Sequence, residues 1–229
     1  MTRRETLTRE KVLDAALALV DAEGLDGLSM RRLATALNVQ PMSLYNHVAN
    51  KADLLDGITE AVFDQVELPD PALAWPEQVR AIALSMYRAF SRHPAVAVVL
   101  ATDQANPASA RALQPFDRLV GALYQAGFDD RRTWHAQRAV WSLVLGSLLL
   151  STSGFTGKPS GTASEANTSA YLRRLDPAKL PNLNRLLQQR SPNDPPPQET
   201  FGQALDMLIR GLASLTTTSR PSNEHHGKG

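Results

Sequence analysis

Residues 33–55, LATALNVQPMSLYNHVANKADLL, hold two short apolar patterns separated by a polar segment. Pro41 suits the first position of a helix, and Leu44 and Val48 recur behind it at helical spacing. These two residues can pack against Ala34 and Leu37 of the preceding helix. The stretch therefore predicts a helix that packs on its own protein through one face and offers the other face to a partner.

The helices around this stretch begin with matching cap residues. Leu28 and Leu33 flank a capping serine as a hydrophobic staple, Val39 and Leu44 form a second staple, and Asp53 occupies the place of a capping-box acid. The expected N-caps are Thr8, for a helix that ends before Gly24, Ser29, for a helix to about Leu37, and Asn50. Two short helices joined by a tight turn form a helix-turn-helix pattern.

The outer face of this pattern carries groups that suit DNA. Arg31 is placed to make a bidentate contact to guanine, and Pro41 and Met42 could contact a thymine methyl group. Phosphate contacts are expected from Ser43, Tyr45, His47 and Lys51. The alternative is an ordinary surface helix in which Met42 and Tyr45 are half-buried.

The rest of the chain also shows helical spacing, with no strand-like alternation, so we expect an all-α protein. Helices are predicted over 77–92, 95–103, 109–127, 131–152, 178–190 and 200–215, and Pro115 can kink or break the third of these. Residues 153–169 are predicted to be a loop. The expected division is a three-helix DNA-binding domain at 1–50, a connecting helix at 51–68, a larger helical ligand-binding and dimerisation domain at 69–215 and a disordered tail at 216–229.

Composition excludes several classes of protein and site. The 229 residues include no cysteine, which excludes disulfides and thiolate metal sites, and the net charge of +1 argues against a sequence-tolerant DNA-compacting protein. The longest apolar run, residues 139–150, is shorter than the roughly 20 residues of a membrane span. We therefore expect a cytoplasmic protein with no membrane partner.

Enzyme motifs are missing from the sequence. It has no glycine-rich phosphate loop, no paired-histidine zinc helix, no nucleophile elbow and no cysteine nucleophile. We therefore expect no enzymatic activity, no cofactor and no metal site. His93 and His135 are expected to be ordinary, partly exposed histidines, and His225 and His226 fall in the predicted tail.

Residues 8–55 resemble the DNA-binding domain of the TetR family of bacterial transcriptional regulators. The closing helix at 201–215 and the histidine after Tyr-x are similar to the tetracycline-repressor branch. The residues that match the family pattern are Leu33-Ala34, Leu37-Asn38-Val39, Leu44-Tyr45-Asn46-His47-Val48, Lys51 and Leu54-Leu55.

This resemblance implies a homodimer that binds a palindromic double-stranded DNA operator and is released by a small-molecule effector. It adds Ser29 to the expected DNA-backbone contacts and assigns dimerisation to helices 131–152 and 200–215. A repressor is the expected function. A transcriptional activator of the same fold stays open, and a helical small-molecule-binding protein or enzyme is the remote alternative.

The resemblance also bears on the effector. Val99, Ser142 and Glu67 stand where tetracycline repressors have histidines for the drug and its metal, and Asp103 replaces an arginine although Thr102 agrees. We therefore expect an effector other than tetracycline–magnesium, flat or apolar with a few polar groups. The candidate pocket residues, which could instead be ordinary core, are Met86, Phe90, His93, Leu100, Phe116, Trp134, Gln137 and Trp141.

Overall fold

The computed structural model describes residues 6–153, 176–188 and 195–217, and these residues contain helices but no β-strand. The all-α prediction is therefore confirmed. A 3-10 turn at Leu25–Gly27 separates the first two α-helices. The α-helices of the described chain are α1 (Arg9–Glu23), α2 (Met30–Ala36), α3 (Pro41–Leu44), α4 (Lys51–Phe63), α5 (Trp75–Arg92), α6 (Pro94–Ala101), α7 (Ala110–Gln125), α8 (Asp130–Ser153), α9 (Pro181–Gln188) and α10 (Pro197–Thr217).

The three predicted N-caps are confirmed. The side chains of Thr8, Ser29 and Asn50 each accept a hydrogen bond from the backbone N–H three residues later, at 3.3, 3.3 and 3.0 Å. These bonds satisfy N–H groups that the first helical turn leaves without a partner. Gly24 closes α1 with a positive φ of 73°, as its place after the helix predicted.

The first three helices and the turn after them, residues 9–48, pack together, and we call them the headpiece. α1 packs on α2, and α2 packs on α3. Leu44, Val48 and Ala34 are buried, as their spacing predicted, and Leu37 is partly buried against the same core. Asn38 adopts the left-handed conformation (φ 52°) and turns the chain between α2 and α3.

α4 connects the headpiece to the remaining helices, which we call the core. It packs on α1 at one side and on α5, α6 and α7 at the other. α5 lies at the centre of the core, because it contacts α4, α6, α7, α8 and α10. α8 and α10 pack on each other and on α5.

Several helix ends differ from the prediction, and prolines explain most of them. Pro76, Pro94 and Pro197 lie in the first turns of α5, α6 and α10, where a missing N–H costs nothing, so these helices start earlier than expected. α9 starts later, at Pro181, and is described as far as Gln188. α7 runs through Pro115 without a break.

The predicted loop and tail fall almost entirely outside the described residues. Ser153 closes α8, and residues 154–169 of the predicted loop are not described. α10 extends to Thr217, two residues into the predicted tail, and residues 218–229 are not described. Within the described ranges, no helix is long and apolar enough to cross a membrane.

Candidate DNA-binding face and effector site

The outer face of α2 and α3 combines apolar and polar groups at the surface. Met42 is 74% exposed and Tyr45 is 47% exposed, whereas Leu44 between them is fully buried. Arg31, Pro41 and Lys51 are also exposed. We call the surface made by the eight predicted DNA-contact residues the reading face: Ser29, Arg31, Pro41, Met42, Ser43, Tyr45, His47 and Lys51.

Two members of the reading face are less accessible than expected. Ser43, within α3, and His47, beyond its end, are both partly buried. α3 ends at Leu44, and the N–H groups of His47 and Val48 both donate to the Leu44 carbonyl, at 2.8 and 3.0 Å. The segment 45–47 is therefore a tight turn that presents Tyr45 at its outer corner.

Ser29 combines two possible roles. Its Oγ accepts the hydrogen bond that caps α2, from the Arg32 N–H at 3.3 Å. A hydroxyl that accepts one bond keeps its own O–H as a donor. Ser29 can therefore cap the helix and still donate to an acceptor outside the protein.

A charged residue missed in the sequence holds this region together from behind. Arg9 donates from Nη1 to the His47 carbonyl at 2.7 Å, and its guanidinium contacts both carboxylate oxygens of Asp53, at 2.7 and 3.2 Å. The Asp53 carboxylate also accepts a hydrogen bond from the Ala49 N–H at 2.7 Å. A capping-box acid would accept the N–H of the N-cap residue, Asn50. Asp53 instead accepts the N–H of the residue before it, Ala49, so the prediction was wrong by one residue.

This ion pair changes the acid–base properties of both partners. The hydrogen bond from Arg9 lowers the pKa of the Asp53 carboxyl, and the Ala49 N–H lowers it further. The same hydrogen bond to Asp53 raises the pKa of Arg9. Asp53 is therefore held in its charged form beneath the reading face.

Acidic side chains of α4 bind the segment between α6 and α7. Asp56 accepts from the Asn106 N–H at 2.7 Å, and Glu60 accepts from the Ser109 N–H at 3.0 Å. Asp64, just past the end of α4, pairs with Arg111 at 3.0 Å. These three acids, four positions apart, form what we call the carboxylate row, which ties the connecting helix to the core.

His93 lies at a second contact between headpiece and core. Its Nδ1 is 2.8 Å from the carboxylate of Asp21 on α1, and its Nε2 is 3.3 Å from the Gln65 amide nitrogen. Gln65 in turn accepts a hydrogen bond from Arg92 at 2.9 Å. A residue predicted for the effector pocket thus joins the end of α1 to the turn between α5 and α6.

Other predicted pocket residues meet in an aromatic cluster. The ring centroid of Trp141 lies 5.1 Å from that of Phe116 and 6.2 Å from that of Phe90. Phe63 of α4, which the sequence analysis missed, lies 4.9 Å from Phe90. Met86 is fully buried on the same helix as Phe90, and Leu100 and Gln137 are partly buried. The rings connect α4 directly with α5, α7 and α8.

Trp134 lies apart from the interior. It is 61% exposed, and the guanidinium of Arg138 lies 5.7 Å from its ring centroid. Its surface position places it on the outside of α8 within a single chain. An aromatic residue at helical spacing does not reveal from sequence which face of the helix it occupies.

Val99, Ser142 and Glu67 stand where histidines are expected in tetracycline repressors, and these three residues lie in different environments. Val99 is fully buried, whereas Ser142 and Glu67 are exposed. Among the described residues, no three His, Asp or Glu side chains are grouped so that they could hold a metal ion.

An open groove of about 520 Å³ lies between α5 and the start of α10. The Arg80–Asp206 ion pair, at 2.8 Å, bridges these two helices. The groove is lined by Arg80, Leu84, Pro196, Gln198, Glu199, Gly202, Gln203 and Asp206. Since none of the predicted pocket residues is among them, the groove and the aromatic cluster are separate features.

Two family patterns match the sequence and together cover most of it. Residues 12–58 match "Bacterial regulatory proteins, tetR family", and residues 68–216 match "Tetracyclin repressor-like, C-terminal domain". The first match ends within α4, and the second begins after that helix.

Individual proteins show the same similarity. The class D tetracycline repressor protein of Escherichia coli is 30% identical over 212 residues, 90% of this chain and 89% of that protein. An HTH-type transcriptional regulator of Saccharopolyspora erythraea is 36% identical over 143 residues, which span 62% of this chain but only 60% of the relative. The crystal structure of Streptomyces coelicolor ActR in complex with (S)-DNPA is 30% identical, with a TM-score of 0.74 over 92% of this chain and 99% of that one.

Proposed function

The chain belongs to the TetR family of bacterial regulatory proteins, and we propose that it represses transcription as a homodimer bound to a palindromic DNA operator. A small molecule bound in the core would release the dimer from DNA. Because DNA is the target, the cytoplasm is the proposed location. An activator of the same fold would differ only in where the operator lies relative to the promoter.

The observation that carries this proposal is the exposure pattern of the reading face. A fully buried leucine anchors α3, while Met42 and Tyr45 on either side of it extend outward. Exposing a methionine in a four-residue helix and a tyrosine directly after it has a reason if both contact a partner. A short helix presented after a tight turn suits insertion into the major groove.

Individual roles follow from the chemistry of each side chain. Arg31 would donate to guanine O6 and N7, and Pro41 and Met42 would contact thymine methyl groups. The remaining members of the reading face would contact phosphates, through the side chains of Ser29, Ser43, Tyr45, His47 and Lys51. The exposure of Ser29, Arg31, Pro41, Met42, Tyr45 and Lys51 supports their share of this assignment, whereas Ser43 and His47 are partly buried.

We place the effector beside the aromatic cluster. Phe63 belongs to the connecting helix, so a ligand that moved these rings would act directly on α4. Aromatic walls favour a flat or apolar ligand with a few polar groups. That ActR forms a complex with (S)-DNPA supports a small organic effector, and Val99 in place of a metal-binding histidine supports one other than tetracycline–magnesium.

We place the dimer interface on α8 and α10. Met207 on α10 is 65% exposed, and Trp134 on α8 is 61% exposed. A Cβ added at Gly146 or Gly211 on the same two helices would meet no atom within 4 Å, so a second helix could approach closely there. Four helices, two from each copy, would then form a bundle across a two-fold axis.

Selection of bound sequences from a random duplex pool, with the full-length protein at near-physiological salt, tests the proposal. We expect an enriched inverted repeat, since a symmetric dimer reads two identical half-sites. Recovery of a pool without a common motif, by protein shown to be folded and dimeric, would contradict operator recognition.

A further inference from the structure

The guanidinium of Arg9 donates hydrogen bonds to three acceptors, which lie on both sides of the 45–50 turn. One is the His47 carbonyl at the end of the reading turn, and two are the Asp53 carboxylate oxygens in the first turn of α4. Asp53 completes the arrangement by accepting the Ala49 N–H between them. We call Arg9, the His47 carbonyl, the Ala49 N–H and Asp53 the clamp.

The packing of α1 on α4 fixes the position of Arg9. A Cβ at Gly57 would lie 2.5 Å from Leu13 Cδ2 and 3.4 Å from an Arg9 guanidinium nitrogen. A side chain at position 57 would therefore displace the end of Leu13, which packs α1 on α4. The guanidinium therefore enters the clamp from a helix that is itself held against α4.

We propose that Arg9 and Asp53 are positioning residues that set the sequence specificity of DNA binding by fixing the angle between the reading turn and α4. This inference rests on the proposed operator-binding function. The clamp acts through the backbone of residues 47–49 and not through contacts of its own with DNA. Base readout needs a fixed geometry, whereas general attraction to DNA depends on charge and phosphate contacts.

For the affinity of Asp53→Asn for the operator, a purely electrostatic effect and loss of the clamp predict opposite changes. Removing a negative charge near DNA should strengthen binding to every duplex if electrostatics dominates. Loss of the clamp should instead weaken binding to the operator by roughly tenfold, the factor for one lost charge-assisted hydrogen bond. Binding to a scrambled duplex of the same composition should stay constant or rise.

Asp14→Asn is the matched control, because Asp14 is an exposed acid on α1 outside the clamp. It removes the same charge, and we expect its ratio of operator to scrambled affinity to equal that of the wild type. Fluorescence anisotropy with both duplexes gives this ratio for each full-length variant, and circular dichroism establishes that each is folded at the assay temperature.

Arg9 variants separate a clamp from a phosphate contact. Arg9→Lys keeps the charge but cannot reach three acceptors with one planar group. The clamp therefore predicts that Arg9→Lys loses specificity about as much as Arg9→Gln does. In the Arg9→Gln/Asp53→Asn double variant, the loss should be little greater than in either single variant, because both act through one contact.

The outcomes distinguish this inference from the function beneath it. If the wild type shows no preference for the selected operator, the proposed function fails. If the wild type prefers the operator but Asp53→Asn binds it as tightly or more tightly, the clamp is wrong. Full specificity in Arg9→Lys would overturn the clamp as well, and would make Arg9 a phosphate contact.

Discussion

At the scale of single residues, the reading face depends on sharp changes in burial between neighbours. Leu44 is fully buried, and Tyr45 beside it is 47% exposed. The spacing of Leu44 and Val48 predicted the inner side correctly, because burial of apolar groups is periodic in a helix. The partial burial of His47 was not predictable in this way, since it depends on where α3 ends.

Adjacent substitutions in α3 should therefore have opposite effects. We expect Tyr45→Ala to change the free energy of unfolding by less than about 0.5 kcal/mol, as at other surface positions, and to weaken operator binding measurably. Leu44→Ala should cost about 2–5 kcal/mol of stability by leaving a cavity. Chemical denaturation and anisotropy measure the two quantities. Unfolding of Tyr45→Ala would instead mean that the tyrosine belongs to the core.

The lowered pKa of Asp53 predicts a pH dependence of stability. A carboxyl with a lower pKa in the folded state adds stability above its ordinary pKa of about 4, and this contribution is lost as the pH falls toward the folded pKa. The stability gap between wild type and Asp53→Asn should thus be larger at about pH 6 than at about pH 3. Thermal unfolding across this range measures it, and a gap independent of pH would contradict the ion pair.

The clamp itself could not have been predicted from the sequence. Arg9 and Asp53 are 44 positions apart, and the pairing of two polar side chains leaves no periodic signal. Asp53 had a local explanation as a capping acid, and that explanation was nearly right. The partner across the fold became visible only with α1 packed on α4.

At the scale of helices, the starts that a capping side chain marks were predicted correctly. Thr8, Ser29 and Asn50 were identified because capping is a local interaction within four residues. Where a proline opens the helix, the start was predicted too late, by one residue at Pro94 and by three at Pro197. Long-range contacts of α4 with the core stayed hidden for the same reason as the clamp.

The carboxylate row makes α4 part of the core as well as of the headpiece. Two of its acids accept backbone N–H groups of the segment that follows α6, at Asn106 and Ser109. A shift of that segment would therefore pull on α4 at two successive turns. We expect this contact to carry part of any coupling between an effector in the core and the headpiece.

Amide hydrogen exchange tests whether the hydrogen bonds of the carboxylate row form in solution. In Glu60→Ala, the Ser109 N–H loses its acceptor, and its exchange should accelerate by about tenfold, the factor for a hydrogen bond to a charged group. Asp117→Ala, which removes an exposed acid on α7, should leave that amide unchanged. Unaltered exchange at Ser109 in the Glu60 variant would show that the contact does not protect it.

At the scale of the whole molecule, three separate contacts link the headpiece and α4 to the rest of the core. These are the carboxylate row, the Asp21–His93–Gln65 junction and the aromatic cluster that includes Phe63. All three involve α4, its end or α1. The headpiece is therefore positioned by the core, which is the arrangement that a ligand-responsive regulator requires.

A homodimer through α8 and α10 predicts a specific loss of assembly. Met207→Arg places a charge in the proposed interface and should shift the protein from dimer to monomer without unfolding it. Leu113→Arg is the matched control, because Leu113 is an exposed leucine on α7 outside the interface. Light scattering measures the mass of each variant. If Met207→Arg stays dimeric, the interface does not include this part of α10.

The measurement that tests the central claim most directly is methylation protection of guanine N7 on the selected operator, with wild type and Arg31→Ala. Guanine N7 lies in the major groove, where the reading face is proposed to bind. The wild type should protect guanines symmetrically in both half-sites, and Arg31→Ala should lose protection at one guanine in each half-site while still binding. Binding without protection of any major-groove guanine in a guanine-containing half-site would contradict base readout by this face.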